Sequence, residues 1–132
     1  MTKYPKFRAC AVHAAPVFLD AQSTVEMACG LIAEAARAGA QLIAFPESFV
    51  PGFPVWASVQ APIKNHEYFK CLAANSIEVP GPEVTQLCAA ARESQIGCRS
   101  VSASARRFRS AVYGIRICLR APMVRCSTTT AN

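Results

Sequence analysis

A chain of 132 residues, 52% hydrophobic and 17% charged, is long enough for one domain with a core of its own. Its formal charge of +6 invites a nucleic-acid reading, but residues 1–96 hold seven Lys and Arg against eight Asp and Glu, whereas residues 97–132 hold seven Arg and no acid. The excess is confined to an Arg- and Ser-rich tail that lacks Lys and regular aromatic interleaving, which argues against nucleic acid as the partner.

Residues 7–14, Phe-Arg-Ala-Cys-Ala-Val-His-Ala, are short, apolar and bounded by Pro5 and Pro16, which predicts a first strand. A single His on such a strand is expected to be a packed, hydrogen-bonded core residue, so His13 is assigned a structural role. Asp20 suits the cap of a helix whose stripe runs through Val25, Ala28, Cys29, Ile32, Ala35 and Ala36, and Gly39 suits the position past its end. Leu42 to Phe45 then read as a buried strand that Pro46 stops. Strand, helix and strand in that order make a βαβ-like unit, which sets Glu47 at the carboxyl end of a parallel strand, where such sheets build their sites. A carboxylate there, walled by Phe45, Phe49, Phe53 and Trp56, is placed to act as a base. Residue chemistry by itself favours the plainer alternative, a solvated loop acid or a helix cap.

Val55 to Ser76 read as a mixed loop followed by a helix from about Asn65. Trp56 and Tyr68 either line an apolar pocket or simply pack, and packing is the commoner use of an aromatic ring. His66 is expected to be exposed, and Lys64 and Lys70 to lie on a surface helix. Glu78-Val-Pro-Gly-Pro82 is a turn, with Pro82 at the first position of a helix carrying Val84, Leu87, Cys88 and Ala91 on one face. Arg92 near its end complements the helix dipole. A third strand should begin near Gln95 and Ile96.

The run Gly39-Ala-Gln-Leu-Ile-Ala-Phe-Pro-Glu-Ser-Phe-Val-Pro-Gly-Phe-Pro54 resembles the glutamate signature of the nitrilase branch of the carbon–nitrogen hydrolase family. Phe53 stands where Tyr is more usual, a swap that keeps the ring. The opening strand, the Pro-Val-Trp and Asn-His-x-Tyr-Phe runs, and Val-Pro-Gly-Pro-Glu before the later helix extend the resemblance over residues 6–96. It implies an α/β fold, the N-terminal part of an α-β-β-α sandwich, incomplete here and followed by an irregular C-terminal tail. It also implies hydrolysis of a nitrile carbon–nitrogen bond to a carboxylic acid and ammonia by a Glu, a Lys and a Cys, without a cofactor or metal, on a small-molecule nitrile. Only the Glu carries over, as Glu47 in the role of general base, with Phe53 and Trp56 as substrate-pocket residues. Intact relatives of this type are homo-oligomeric.

Past residue 96 the resemblance stops. The family's third strand reads much like Val-Val-Ile-Gly-Val-Ser-Glu-Arg, whereas this chain gives Gly97-Cys-Arg-Ser-Val-Ser-Ala-Ser-Ala-Arg-Arg-Phe-Arg109. Codons permitted for Arg99 to Ala105, read with a one-nucleotide offset, spell Ser-Val-Gly-Val-Ser-Glu. The expectation is a frame change near codons 96–98, with residues 1–96 the hydrolase part and residues 97–132 a tail in which the strand-like run Val112–Leu119 is accidental. The competing account is a natural, divergent or disordered tail. The family's Lys and Cys-x-Glu motifs are absent; Cys98, Cys118 and Cys126 have no Glu after them and are not assigned as the nucleophile. The chain itself is therefore expected to be inactive. The alternative function is a noncatalytic binding module whose basic tail contacts nucleic acid or a partner.

Seven Cys form an odd count with no Cys-x-x-Cys pair and no His spacing suited to zinc, and read as scattered small hydrophobes in a reducing compartment. No leader and no run approaching about 18 apolar residues is present. The reading is a soluble, cytoplasmic chain without a membrane partner.

Overall fold

The structure is a computed structural model that describes residues 6–105, 112–120 and 123–125, with side-chain packing described for residues 6–98. Its elements run β1 (Ala9–Ala11), α1 (Ala21–Arg37), β2 (Leu42–Ala44), α2 (Trp56–Val59), a 3-10 turn (Pro62–Lys64), α3 (His66–Ala74), α4 (Pro82–Glu93), β3 (Gly97–Ala105), β4 (Val112–Arg120) and β5 (Met123–Arg125). The strands form one sheet in the order β1-β2-β3-β4-β5. β1, β2 and β3 are parallel, with Cys10 beside Ile43 and Ile43 beside Cys98; β4 and β5 add antiparallel.

Local chemistry accounts for the helix ends. Asp20 caps α1 by accepting from the Ser23 N–H at 2.9 Å and from the Ser23 hydroxyl at 2.8 Å. The Ser23 backbone N–H, and after it the hydroxyl, hold the Asp20 carboxyl below its ordinary value. Past the helix, Gly39 takes a φ of 79°, the left-handed conformation that lets the chain turn back into β2. Pro82 occupies the first turn of α4. At its far end the Ile96 N–H donates to Ala91 O at 3.1 Å and the Gly97 N–H to Gln41 O at 3.0 Å, which lays β3 along β2.

Because successive parallel strands add in one direction, right-handed crossovers put α1 and α4 on the same face of the sheet. One core results: Val25, Ala28, Ile32 and Ala35 of α1, Val84, Leu87 and Ala91 of α4, and Ile43, Ile96 and Cys98 beneath them are all buried. Burial of the Val, Leu and Ile side chains among them stabilises by about 1.5–3 kcal/mol each before chain entropy is counted. No helix among the described residues is long and apolar enough to cross a membrane.

One expectation needs amending. His13 is exposed, since the alternation that turns Cys10 and Val12 toward α1 turns residues 9, 11 and 13 the other way. In the tail, the described backbone comprises β3, β4 and β5, with one strand over Val112–Arg120. The alternation of Ser with small apolar residues from Ser100 to Ala105 is compatible with such a strand. The rest of the tail lies outside the described residues.

Candidate active site

Glu47 follows β2 by three residues, at the carboxyl end of the parallel part of the sheet, and its side chain is exposed. The turn that carries it is anchored on both sides. Phe45 is partly buried against the core, and Phe49 is 1% exposed, with ring centroids 5.1 Å apart. Val50 and Pro51 are also buried. Ser48, the residue directly after the acid, has a φ of 51°, a left-handed conformation that side chains other than Gly, Asn and Asp seldom take. Its carbonyl accepts from the Gly52 N–H at 3.1 Å, closing the turn, and Gly52 itself has a φ of 128°.

A second loop holds this turn. The Leu19 N–H donates to Pro51 O at 2.9 Å, and the Phe18 ring lies so close to Gly52 that a Cβ there would stand 3.1 Å from Phe18 Cδ2. Leu19 is also left-handed, with a φ of 56°. The loop is fixed in turn by the Thr24 hydroxyl, which donates to Val17 O at 2.9 Å and to Asp20 O at 2.7 Å. Sequence reading missed Phe18, Leu19 and Ser48. The available signal was Pro16-Val-Phe-Leu just before a helix cap, a short apolar run where a polar loop would ordinarily stand.

Of the rings expected to wall the acid, Phe45 and Phe49 pack beneath the turn, while Phe53 is 47% exposed. Trp56 is 5% exposed and enclosed by Phe18 at 5.5 Å (edge-on), Tyr68 at 5.3 Å (stacked) and Phe69 at 6.0 Å, spacings typical of favourable aromatic pairs. Neither of the two described cavities is lined by Glu47, Phe53 or Trp56. The larger, about 580 Å³, is bordered by Lys6, Phe7, Arg8, Gly39 and Gln41. The other, about 220 Å³, lies between β1 and α1. Lys64 and Lys70 are both exposed, and Lys70 pairs with Glu67 at 2.9 Å on the surface of α3, a contact worth little.

Burial pushes the Cys29 thiol up, and the charges of Glu26 and Glu93 add to it, which disfavours the thiolate a nucleophile needs. Among the described residues no cluster of His, Cys, Asp and Glu is able to hold a metal ion.

Comparison with known proteins puts the geometry in a family. The model of the carbon–nitrogen hydrolase family matches residues 8–119. A nitrilase from Bacillus sp. (strain OxB-1) is 41% identical over 102 residues, which is 77% of this chain and 30% of the relative. An arylacetonitrilase from Aspergillus oryzae is 43% identical over 89 residues, 67% of this chain and 26% of the relative. The chain thus spans less than a third of the length of these relatives. Among solved structures, an amidase from Nesterenkonia sp. superposes with a TM-score of 0.54 at 17% identity, covering 85% of this chain and 37% of that one; at that identity the likeness speaks for the fold. On the extent of the family match and the identity to its nitrilases, the chain belongs to the carbon–nitrogen hydrolase family.

Proposed function

We propose that the chain represents the Glu-bearing N-terminal part of a nitrilase-type hydrolase, in which Glu47 is the general base for cleavage of a nitrile to a carboxylic acid and ammonia. The observation that carries this reading is the position of Glu47 at the carboxyl end of a parallel strand, on a turn whose neighbours are buried while the acid stays exposed. A base must reach both a thiol and a water, and an exposed acid on a fixed turn meets that need once other groups close over it. Of the two pocket residues proposed, Phe53 has a free face for a substrate, and Trp56 is held within the aromatic cluster.

Alone, the chain is proposed to be inactive, because thiolate attack and stabilisation of the developing charge need the Cys and Lys motifs that its sequence lacks. Ammonia release from arylacetonitriles and aliphatic nitriles by the purified chain is expected to stay at the level of buffer. Turnover that disappears in Glu47→Gln would overturn the inactivity while supporting the role of the acid.

The division at residue 96 is likewise a proposal, because the family match runs across it. Its support is the abrupt charge change and the offset reading of Arg99 to Ala105. The nucleotide sequence from codon 90 onward is expected to contain the family's third-strand text in another frame. A gene with no such text in any frame would leave natural divergence as the account.

A further inference from the structure

Among the described residues, two polar side chains are buried, Thr24 and Asn65. Asn65 gives its amide hydrogens to nearby carbonyls, those of Trp56 and Gln60. Thr24 reaches outside its own helix. A hydroxyl within a helix ordinarily finds its partner in the carbonyl four residues back, and Thr24 has that partner in Asp20 O at 2.7 Å. Its second acceptor is Val17 O at 2.9 Å, which lies before α1 and which the helix does not require. The hydroxyl carries one hydrogen, so the two carbonyls share it.

Val17 O is also where a tight turn closes, because it accepts from the Asp20 N–H at 3.1 Å. Inside that turn stands Leu19 with a φ of 56°, a conformation that favours glycine, which has no Cβ to clash. Leucine keeps it only where its surroundings impose it. What the conformation achieves lies on the far side of the turn: the Leu19 N–H donates to Pro51 O at 2.9 Å, and the Phe18 ring stands against Gly52. Pro51 and Gly52 belong to the turn that the Gly52 N–H closes on Ser48 O, directly after Glu47.

Packing does not account for a threonine at position 24. Valine would fill nearly the same buried volume with no hydroxyl to satisfy, and both carbonyls would keep a backbone donor, the residue 24 N–H for Asp20 O at 3.1 Å and the Asp20 N–H for Val17 O. What valine lacks is the added hold on the loop. We infer that Thr24 is a positioning residue for Glu47: through the Val17 carbonyl its hydroxyl keeps the Val17–Asp20 turn in the strained form that presents the Leu19 N–H to Pro51, and so seats the glutamate turn. The inference deepens the function proposed above and rests on it, because seating that turn matters to the chemistry only when Glu47 is the base.

The test is amide hydrogen exchange in the full chain, without substrate, for Thr24→Val and Thr24→Ser. In Thr24→Val the Leu19 and Gly52 amides, whose bonds hold the seated turn, are expected to exchange about fivefold faster, the factor of one ordinary hydrogen bond, with little change at Ala28 and Ile32 within α1. Thr24→Ser keeps the hydroxyl and should return both amides to the parent rates. Val25→Ala trims a buried neighbour of Thr24 without touching a hydrogen bond, and should speed the helix amides with no matching loss at Leu19 and Gly52. The Cα and Cβ carbon signals of Glu47 supply a spectroscopic mark, moving toward those of a flexible glutamate in Thr24→Val and staying in place in Thr24→Ser. Unchanged exchange at Leu19 and Gly52 in Thr24→Val, a Thr24→Ser protein as fast as Thr24→Val, or Glu47 signals that stay in place in Thr24→Val each overturn the inference. A Thr24→Val chain that does not fold also overturns it, since the hydroxyl would then serve the core. Failure of the base role shows separately, as turnover indifferent to Glu47→Gln, and leaves these rates unchanged.

Discussion

Ile43→Ala is expected to lower the free energy of unfolding by about 3 kcal/mol, within the range for truncating a buried Ile. Ile43 is 0% exposed and sits in the middle strand of the parallel trio, between Cys10 and Cys98 in register. Both helices close over it, so few neighbours are free to collapse into the space left. The same truncation at Ile63, which is 88% exposed, should change stability by no more than about 0.5 kcal/mol. Urea denaturation of the two variants provides the comparison. A shift in midpoint with an unchanged slope for Ile43→Ala, and none for Ile63→Ala, is the expected pattern. Equal effects would mean that the sheet and helices do not form the core described.

Gly52→Ala is expected to cost about 1–3 kcal/mol, the scale of a residue forced into a sparsely allowed conformation. Two independent obstacles act there. A φ of 128° lies where an L side chain is strained, and the added methyl would meet the Phe18 ring at 3.1 Å and approach Pro16 Cγ at 3.7 Å. The ring can yield by a few tenths of an ångström; the backbone cannot yield without opening the turn that follows Glu47. Ser48→Gly should do the reverse, because glycine adopts the φ of 51° without the cost of about 1–2 kcal/mol that a Cβ brings. Backbone amide shifts of residues 47–53 should move in Gly52→Ala and stay close to the parent in Ser48→Gly. A Gly52→Ala protein as stable as the parent would show that the turn is not locked by the loop before α1.

Much of this was legible because the residues obey one period at a time. The stripe from Val25 to Ala36 fixed α1, Asp20 and Gly39 marked its two ends, and Leu42 to Phe45 between Gly39 and Pro46 had room only for a strand. Chain order then placed Glu47 at the carboxyl end of a parallel sheet without any knowledge of distances. Tertiary arrangements were not legible. His13 has the neighbours of a core residue in sequence, yet it lies on the face opposite Cys10 and Val12 and is exposed. Packing was the commoner expectation for Trp56, but no local pattern announces that Phe18, thirty-eight positions earlier in the chain, packs edge-on to it. The left-handed Ser48 escaped notice for a related reason: its conformation is imposed by the Gly52 hydrogen bond and the buried residues between, and serine itself expresses no preference for it.

The aromatic cluster has a practical corollary. Trp56 is the chain's single tryptophan, and Phe18 touches both its indole and the glycine that closes the glutamate turn. Its ultraviolet emission is therefore a native optical gauge: light from one ring reports whether the segment bearing the acid is seated or has come loose, with no label attached.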